Sequence, residues 1–261
     1  MPFAQLSGVR LHYRIDGDAA SPALLLSNSL GTTLDMWEPQ MRGLAARFRI
    51  VRYDSRGHGR SEVTPGPYTI EMLAGDAVGL LDALAIPSAY FCGLSMGGMV
   101  GMWLGVNAPE RIDRLVLANT GAKIGTGEIW NARIDAVRKG GMAAIASAVL
   151  ARWFPPQDLE QPTPMIAQLR AMLEATSPEG YAASCAAVRD MDQRRTLHRI
   201  RAPTLVIAGA EDHVTTPDDA RFIVDEVRNA RYVELQASHL SNIQAASAFT
   251  HALVQFLTGR F

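Results

Sequence analysis

The sequence predicts an α/β fold: a mostly parallel central sheet flanked by helices and interrupted by a helical cap. Three observations carry that reading. Short apolar runs bounded by turn residues recur at 23–27, 50–54, 89–94, 114–119, 204–209 and 231–235, and such runs fit strands buried on both faces. Helical patterns fill the gaps between them, and strand–helix alternation implies a parallel sheet with helices on both faces. The alternation stops near residue 121 and resumes after about 201.

Taken in order, residues 11–14 read as an edge strand leading into an Asp16–Gly17 turn. The runs ALLLS and IVRYD supply the next two strands. Ile70, Leu73, Ala77, Leu80, Leu81 and Leu84 then repeat at helical spacing, and Pro87 marks the exit. The strand AYFCGL passes directly into a helix over 97–107, ending near Pro109, and a strand over 114–119 follows. The next stretch is Ala- and Met-rich and helical, punctuated by Pro155–Pro156, Pro162, Pro164 and Pro178. TLVIAG and RYVEL restore the strands, and a helix over 244–257 closes the chain. The expected organisation is therefore core over 1–120, cap over 121–201, and core again over 202–261. A helical insertion between two sheet halves lies over the carboxyl ends of the strands, where open α/β sheets bind ligands.

Composition bounds the function. A chain of 261 residues suits one large domain, with 48% hydrophobic and 20% charged residues, the balance of a soluble globular protein. A net charge of −1 without a basic block argues against nucleic acid or an anionic membrane as partner. No apolar run approaches the ~18 residues of a spanning helix. MPFAQLSG lacks the basic and apolar regions of a signal peptide, and Cys92 and Cys185 do not form a disulfide framework. The expectation is a cytoplasmic enzyme or binding protein; oligomeric state is left open.

The strongest motif is Gly93-Leu94-Ser95-Met96-Gly97, placed between an expected strand and an expected helix. A G-x-S-x-G in that setting is a nucleophile elbow. The serine sits on a strained turn, so the flanking residues must lack side chains where strand and helix backbones crowd. The following helix directs its N-terminus at the reacting oxygen, where negative charge is favoured.

Such a serine needs a base, and the base needs an orienting acid, in the chain order serine, acid, histidine. Asp212 lies just past the strand TLVIAG and is the best-placed acid, whereas Asp190, Asp192, Asp218 and Asp219 fall in expected helices or caps. His239 follows RYVEL by a short loop and precedes the last helix. His213 neighbours the acid but reads as a loop histidine near the rim. His198 belongs to the cap exit, His251 to the final helix, and His12 and His58 precede the serine.

Asn28-Ser29-Leu30-Gly31 follows a strand at the place where this arrangement supplies an oxyanion-hole N–H. The expected donors are the backbone N–H groups of Leu30 and Met96. In the segment DSRGHGRS, Asp54 and Arg56 are expected to pin a tight glycine turn rather than to do chemistry.

These segments together resemble the α/β-hydrolase superfamily. More narrowly, SNSLGTTLDMW, YDSRGHGRS, FCGLSMGG and SHLSNIQ resemble the 3-oxoadipate enol-lactonases of bacterial aromatic degradation. The resemblance covers essentially the whole chain and implies a Ser95–His239–Asp212 triad with Leu30 and Met96 as oxyanion donors. It also implies no cofactor, no metal and a small anionic lactone as substrate. That substrate's carboxylate calls for a donor, and Trp130 and Arg133 in the cap stand three apart, on one face if the segment is helical. The bland reading makes Trp130 cap core and Arg133 a solvated residue. A general carboxylesterase or perhydrolase would share every catalytic residue, and a non-catalytic binding protein would show an incomplete triad. Haloalkane dehalogenases and epoxide hydrolases carry aspartate at the elbow, where this chain has serine.

Overall fold

The computed structural model describes residues 2–260, and in it the chain enters its sheet through a hairpin. Strand β1 (Phe3–Leu6) turns at Ser7 and Gly8 into β2 (Val9–Asp16), with Leu6 opposite Val9. Then come β3 (Ala23–Ser27), β4 (Arg49–Tyr53), β5 (Ala89–Leu94), β6 (Ile112–Ala118), β7 (Thr204–Gly209) and β8 (Arg231–Leu235). They form one eight-stranded sheet in the order β1-β2-β4-β3-β5-β6-β7-β8. The β1–β2 and β2–β4 pairs are antiparallel; every other pair is parallel.

Chain direction places the helices. A 3-10 turn at Leu34–Trp37 leads into α1 (Glu38–Leu44), which carries the chain from β3 outward to β4. Helix α2 (Ile70–Ala83) brings it back across β3 to β5, and α3 (Met96–Asn107) leads on to β6. Right-handed crossovers in opposite directions put α1 on one face and α2 and α3 on the other. The packing agrees: α2 lies against α3, and α1 against the last helix, α11 (Ala246–Leu257). The inner strands are buried on both faces. Leu24, Leu25, Leu26, Phe91, Cys92, Leu115, Val116, Leu117, Leu205 and Ile207 are fully buried, which is why they read as unbroken apolar runs.

Between β6 and β7 the chain leaves the sheet for α4 (Gly127–Gly140), α5 (Ala143–Trp153), α6 (Pro156–Glu160), α7 (Pro164–Glu174) and α8 (Pro178–Asp190). Hydroxyl N-caps start three of them: Thr126, Thr163 and Ser177 each accept a backbone N–H of the first turn. Helix α4 packs on α8 and α5, and α5 packs on α7. After β7, α9 (Pro217–Glu226) opens with a Thr216–Asp219 capping box, and α10 (Ser241–Gln244) precedes α11.

Beyond shifts of one or two residues in β4 and β6, the structure departs from the expected elements at four places. The strand over 11–14 is longer and is not the edge, because β1 pairs along its outer side. β1 has four residues and exposes Phe3, so it carries no apolar run to detect. The α1 segment EPQMRGL was not anticipated as a helix. The helix over 244–257 is broken at Ala245, whose φ of −115° and ψ of 43° interrupt the turn between α10 and α11.

Candidate active site

Sheet order reverses at β3, with β4 on one side and β5 on the other. That switch point opens a crevice at the carboxyl ends of the strands. Ser95 follows β5 there, and Leu30 follows β3.

The serine occupies a tight elbow. Its φ is 56° and its ψ is −115°, a conformation that costs an L-residue on the order of 1–3 kcal/mol. Close approach demands the glycines around it: a Cβ on Gly93 would meet the Gly97 carbonyl oxygen at 2.1 Å, and one on Gly97 would meet the Ser27 oxygen at 2.2 Å. The turn is held by Ser95 N donating to the Ala118 carbonyl (2.9 Å) and by Thr120 Oγ1 donating to the Ser95 carbonyl (2.8 Å).

His239 and Asp212 meet this serine from two later loops. His239 Nε2 lies 3.0 Å from Ser95 Oγ, and His239 Nδ1 lies 2.9 Å from Asp212 Oδ2. All three are buried. The carboxylate is heavily solvated by protein donors. Oδ1 accepts from Val214 N (2.7 Å) and Thr215 N (3.0 Å), and Oδ2 from Thr215 Oγ1 (2.7 Å) and Asn119 Nδ2 (3.0 Å). Burial alone would push this carboxyl up, but the imidazole and those donors outweigh it and hold Asp212 well below the usual carboxylate range. An acid that stays ionised and accepts from Nδ1 leaves Nε2 free to take a proton from the hydroxyl.

The other candidates fall away. Among the histidines, His213, His198 and His251 are exposed. His12 is paired with Asp54 at 2.7 Å. Asp190 is bound by Arg189, Asp192 by Arg194, Asp218 by Arg221, and Asp219 serves the capping box.

The backbone N–H groups of Leu30 and Met96, residues that line the cavity beside Ser95, have no protein acceptor among the described residues. Their neighbours are all engaged: Ser29 N with Met36 Sδ (3.3 Å), Gly31 N with His58 Nε2 (3.0 Å), and Gly97 N with the Asn28 carbonyl (3.0 Å). Unpartnered donors beside a buried hydroxyl form a ready pocket for an oxyanion.

The DSRGHGRS loop supports this pocket from behind. Asp54 Oδ1 accepts from Leu34 N, and Oδ2 from Arg60 N and His12. Arg56 grips Asp76 on α2 through two bonds of 2.9 and 2.6 Å. Asp54 thus pins the turn as expected, while Arg56 ties it to a neighbouring helix.

The helical insertion closes the cavity. Trp130, Arg133, Val149, Arg152, Trp153, Tyr181 and Val188 line it together with Ser95 and His239, leaving only about 30 Å³ of free space. Trp130 is buried and donates from Nε1 to the Ile124 carbonyl (2.8 Å), so it also builds the insertion. The Arg133 guanidinium sits 4.8 Å from the centre of its ring, as one helical face requires. A larger groove of about 640 Å³ between the Thr64–Pro67 loop and α4 and α8 is lined by no serine, cysteine or histidine.

Residues 22–140 match the family described as α/β hydrolase fold. The 3-oxoadipate enol-lactonase 2 of Acinetobacter baylyi is 44% identical over 245 residues, spanning 94% of this chain and 92% of that protein. The chain belongs to the α/β-hydrolase family. The 3-oxoadipate enol-lactonase 1 of the same organism is 39% identical over 251 residues, covering 96% and 94%. The crystal structure of the enol-lactonase from Burkholderia xenovorans LB400 matches this α/β-hydrolase with a TM-score of 0.97 at 48% identity, covering 98% and 100% of the two chains.

Sequence reasoning missed four residues of this hydrolase's site. Asn119, at a positive φ of 43°, bonds both Asp212 and the Ser238 carbonyl and so ties the acid loop to the histidine loop. An asparagine closing a strand was its only signal, since asparagine tolerates the left-handed region. Thr215 was hidden in the acid loop. Tyr181 and Arg152 reach the cavity only through the packing of α8 and α5.

Proposed function

We propose that this protein is a cofactor-independent serine hydrolase that opens 3-oxoadipate enol-lactone to 3-oxoadipate. The observation that carries the reading is the buried relay Ser95 Oγ–His239 Nε2 (3.0 Å) and His239 Nδ1–Asp212 Oδ2 (2.9 Å) beside two unpartnered N–H groups. Full-length likeness to proteins named 3-oxoadipate enol-lactonase supports the choice of substrate.

In this reading Ser95 Oγ attacks the lactone carbonyl while His239 Nε2 takes its proton. The Leu30 and Met96 N–H groups bind the oxyanion, worth about 10²–10³ in rate for each donor. Collapse breaks the ring C–O bond; the enol oxygen leaves with the proton returned by His239 and relaxes to a ketone. Water, deprotonated by His239, then hydrolyses the acyl-enzyme. Arg133, held over Trp130 at the cavity wall, binds the substrate's free carboxylate.

Comparing kcat/KM for the enol-lactone and for phenyl acetate tests the substrate. We expect the lactone to be favoured by at least about tenfold, the contribution of one charge-assisted contact. A preference for phenyl acetate would make the protein a general carboxylesterase.

A further inference from the structure

Two guanidinium groups share the catalytic cavity, and neither has a carboxylate partner. Arg133 on α4 and Arg152 on α5 both line the space around Ser95 and His239. Several buried or half-buried arginines outside the cavity do have carboxylate partners: Arg52 with Asp16 and Glu38, Arg56 with Asp76, Arg111 with Asp82, Arg189 with Asp190. No such pair forms at either cavity arginine among the described residues.

The two cations work against each other. Loss of water, and next the charge of Arg133, press the Arg152 pKa down. Both charges also act on the buried Tyr181 hydroxyl, and Arg152 lies within electrostatic reach of Asp212. Like charges brought together in a narrow, partly dry cavity are unfavourable until an anion joins them. A ligand with one carboxylate satisfies one of the two.

We infer that Arg152 is a second carboxylate-binding residue, and that the cavity holds a linear dicarboxylate between Arg133 and Arg152. Hydrolysis of a carboxylated lactone yields that class of molecule: water supplies the oxygen of a new carboxylate at the carbon that Ser95 had held. Arg133 keeps the original carboxylate, and Arg152, close to the triad, receives the new one. The product is then retained more strongly than the substrate and acts as a competitive inhibitor. This inference rests on the hydrolase reading of the same site, but its test requires no turnover.

Isothermal titration calorimetry with adipate and with hexanoate, chains of equal length bearing two carboxylates and one, separates the possibilities. Wild-type protein is expected to bind adipate at least about tenfold more tightly than hexanoate. Arg152→Gln should weaken adipate binding by about tenfold while changing hexanoate binding by much less, and Arg152→Lys should recover part of the loss. Equal wild-type affinities for the two acids, or adipate binding that ignores Arg152→Gln, would overturn the inference. Lactone opening without an adipate preference would overturn it alone. An adipate preference that depends on Arg152, in a protein inactive on the lactone, would uphold the two-cation pocket and refute the proposed substrate.

Discussion

At the scale of single residues, one buried group is held ionised and another neutral by their surroundings. Asp212 is kept ionised by five hydrogen bonds from neighbours that include His239. Its folded pKa is depressed, so its stabilising contribution is present above the unfolded carboxyl value of ~3.9 and is lost only as pH falls through the lower folded value. An amide there keeps the shape but turns a donor toward Nδ1 and favours the wrong tautomer. Asp212→Asn should therefore lower kcat by on the order of 10⁴, measured on phenyl acetate. His58 is the converse case. Burial first of all presses its pKa down, against the bond to the Arg56 carbonyl and the Asp54 charge. The neutral ring accepts the Gly31 N–H, next in the chain to Leu30, and donates from Nδ1 to the Arg56 carbonyl (3.2 Å). Below the unfolded histidine value of ~6.5 the unfolded chain binds the extra proton, so stability declines as pH falls from there toward the lower folded value and is level above it. Melting temperatures taken between about pH 7 and 5 should fall more steeply for wild type than for His58→Gln. Parallel slopes would remove His58 as the cause.

At the scale of elements, α4 presents Trp130 and Arg133 to the cavity from one face, and α5 presents Arg152 and Trp153. A fork over an indole ring is oriented before substrate arrives, which lowers the entropy cost of binding a carboxylate. Arg133→Ala should raise KM for the carboxylated lactone so that kcat/KM drops by roughly ten- to hundredfold. The loss on neutral phenyl acetate should be several-fold smaller. Matching losses on the two substrates would return Arg133 to the role of a surface residue. The narrow free space makes a second claim on the insertion. Side chains from α4, α5 and α8 leave about 30 Å³ near Ser95, so any ligand moves side chains on entry and a longer acyl chain must displace more of them. Activity on p-nitrophenyl esters should decline by at least about tenfold from acetate to octanoate, a cost of some 1.4 kcal/mol. A flat chain-length profile would mean that the insertion opens freely.

At the scale of the molecule, legibility followed burial. Strands β3, β5, β7 and β8 were read with their observed bounds, because most lie deep in the sheet or abut a clear turn. β1 escaped because a four-residue outer strand with one exposed face has no apolar run. The Ser95 elbow, the Asp212 loop and the His239 loop were legible because each needs particular residues at a strand end. Asn119, Thr215, Tyr181 and Arg152 were not, since each acquires its place from contacts between distant segments: Asn119 bonds Asp212 across 93 positions. What the whole fold accomplishes is to bring positions 30, 95, 212 and 239 to one crevice at the sheet's switch point. If Ser95 is the nucleophile for lactone opening, kcat on the enol-lactone for wild type and Ser95→Ala protein of matched melting temperature will show it. A loss on the order of 10⁶ is expected, because the triad acts as a unit. Ser95→Ala activity within about tenfold of wild type would contradict it.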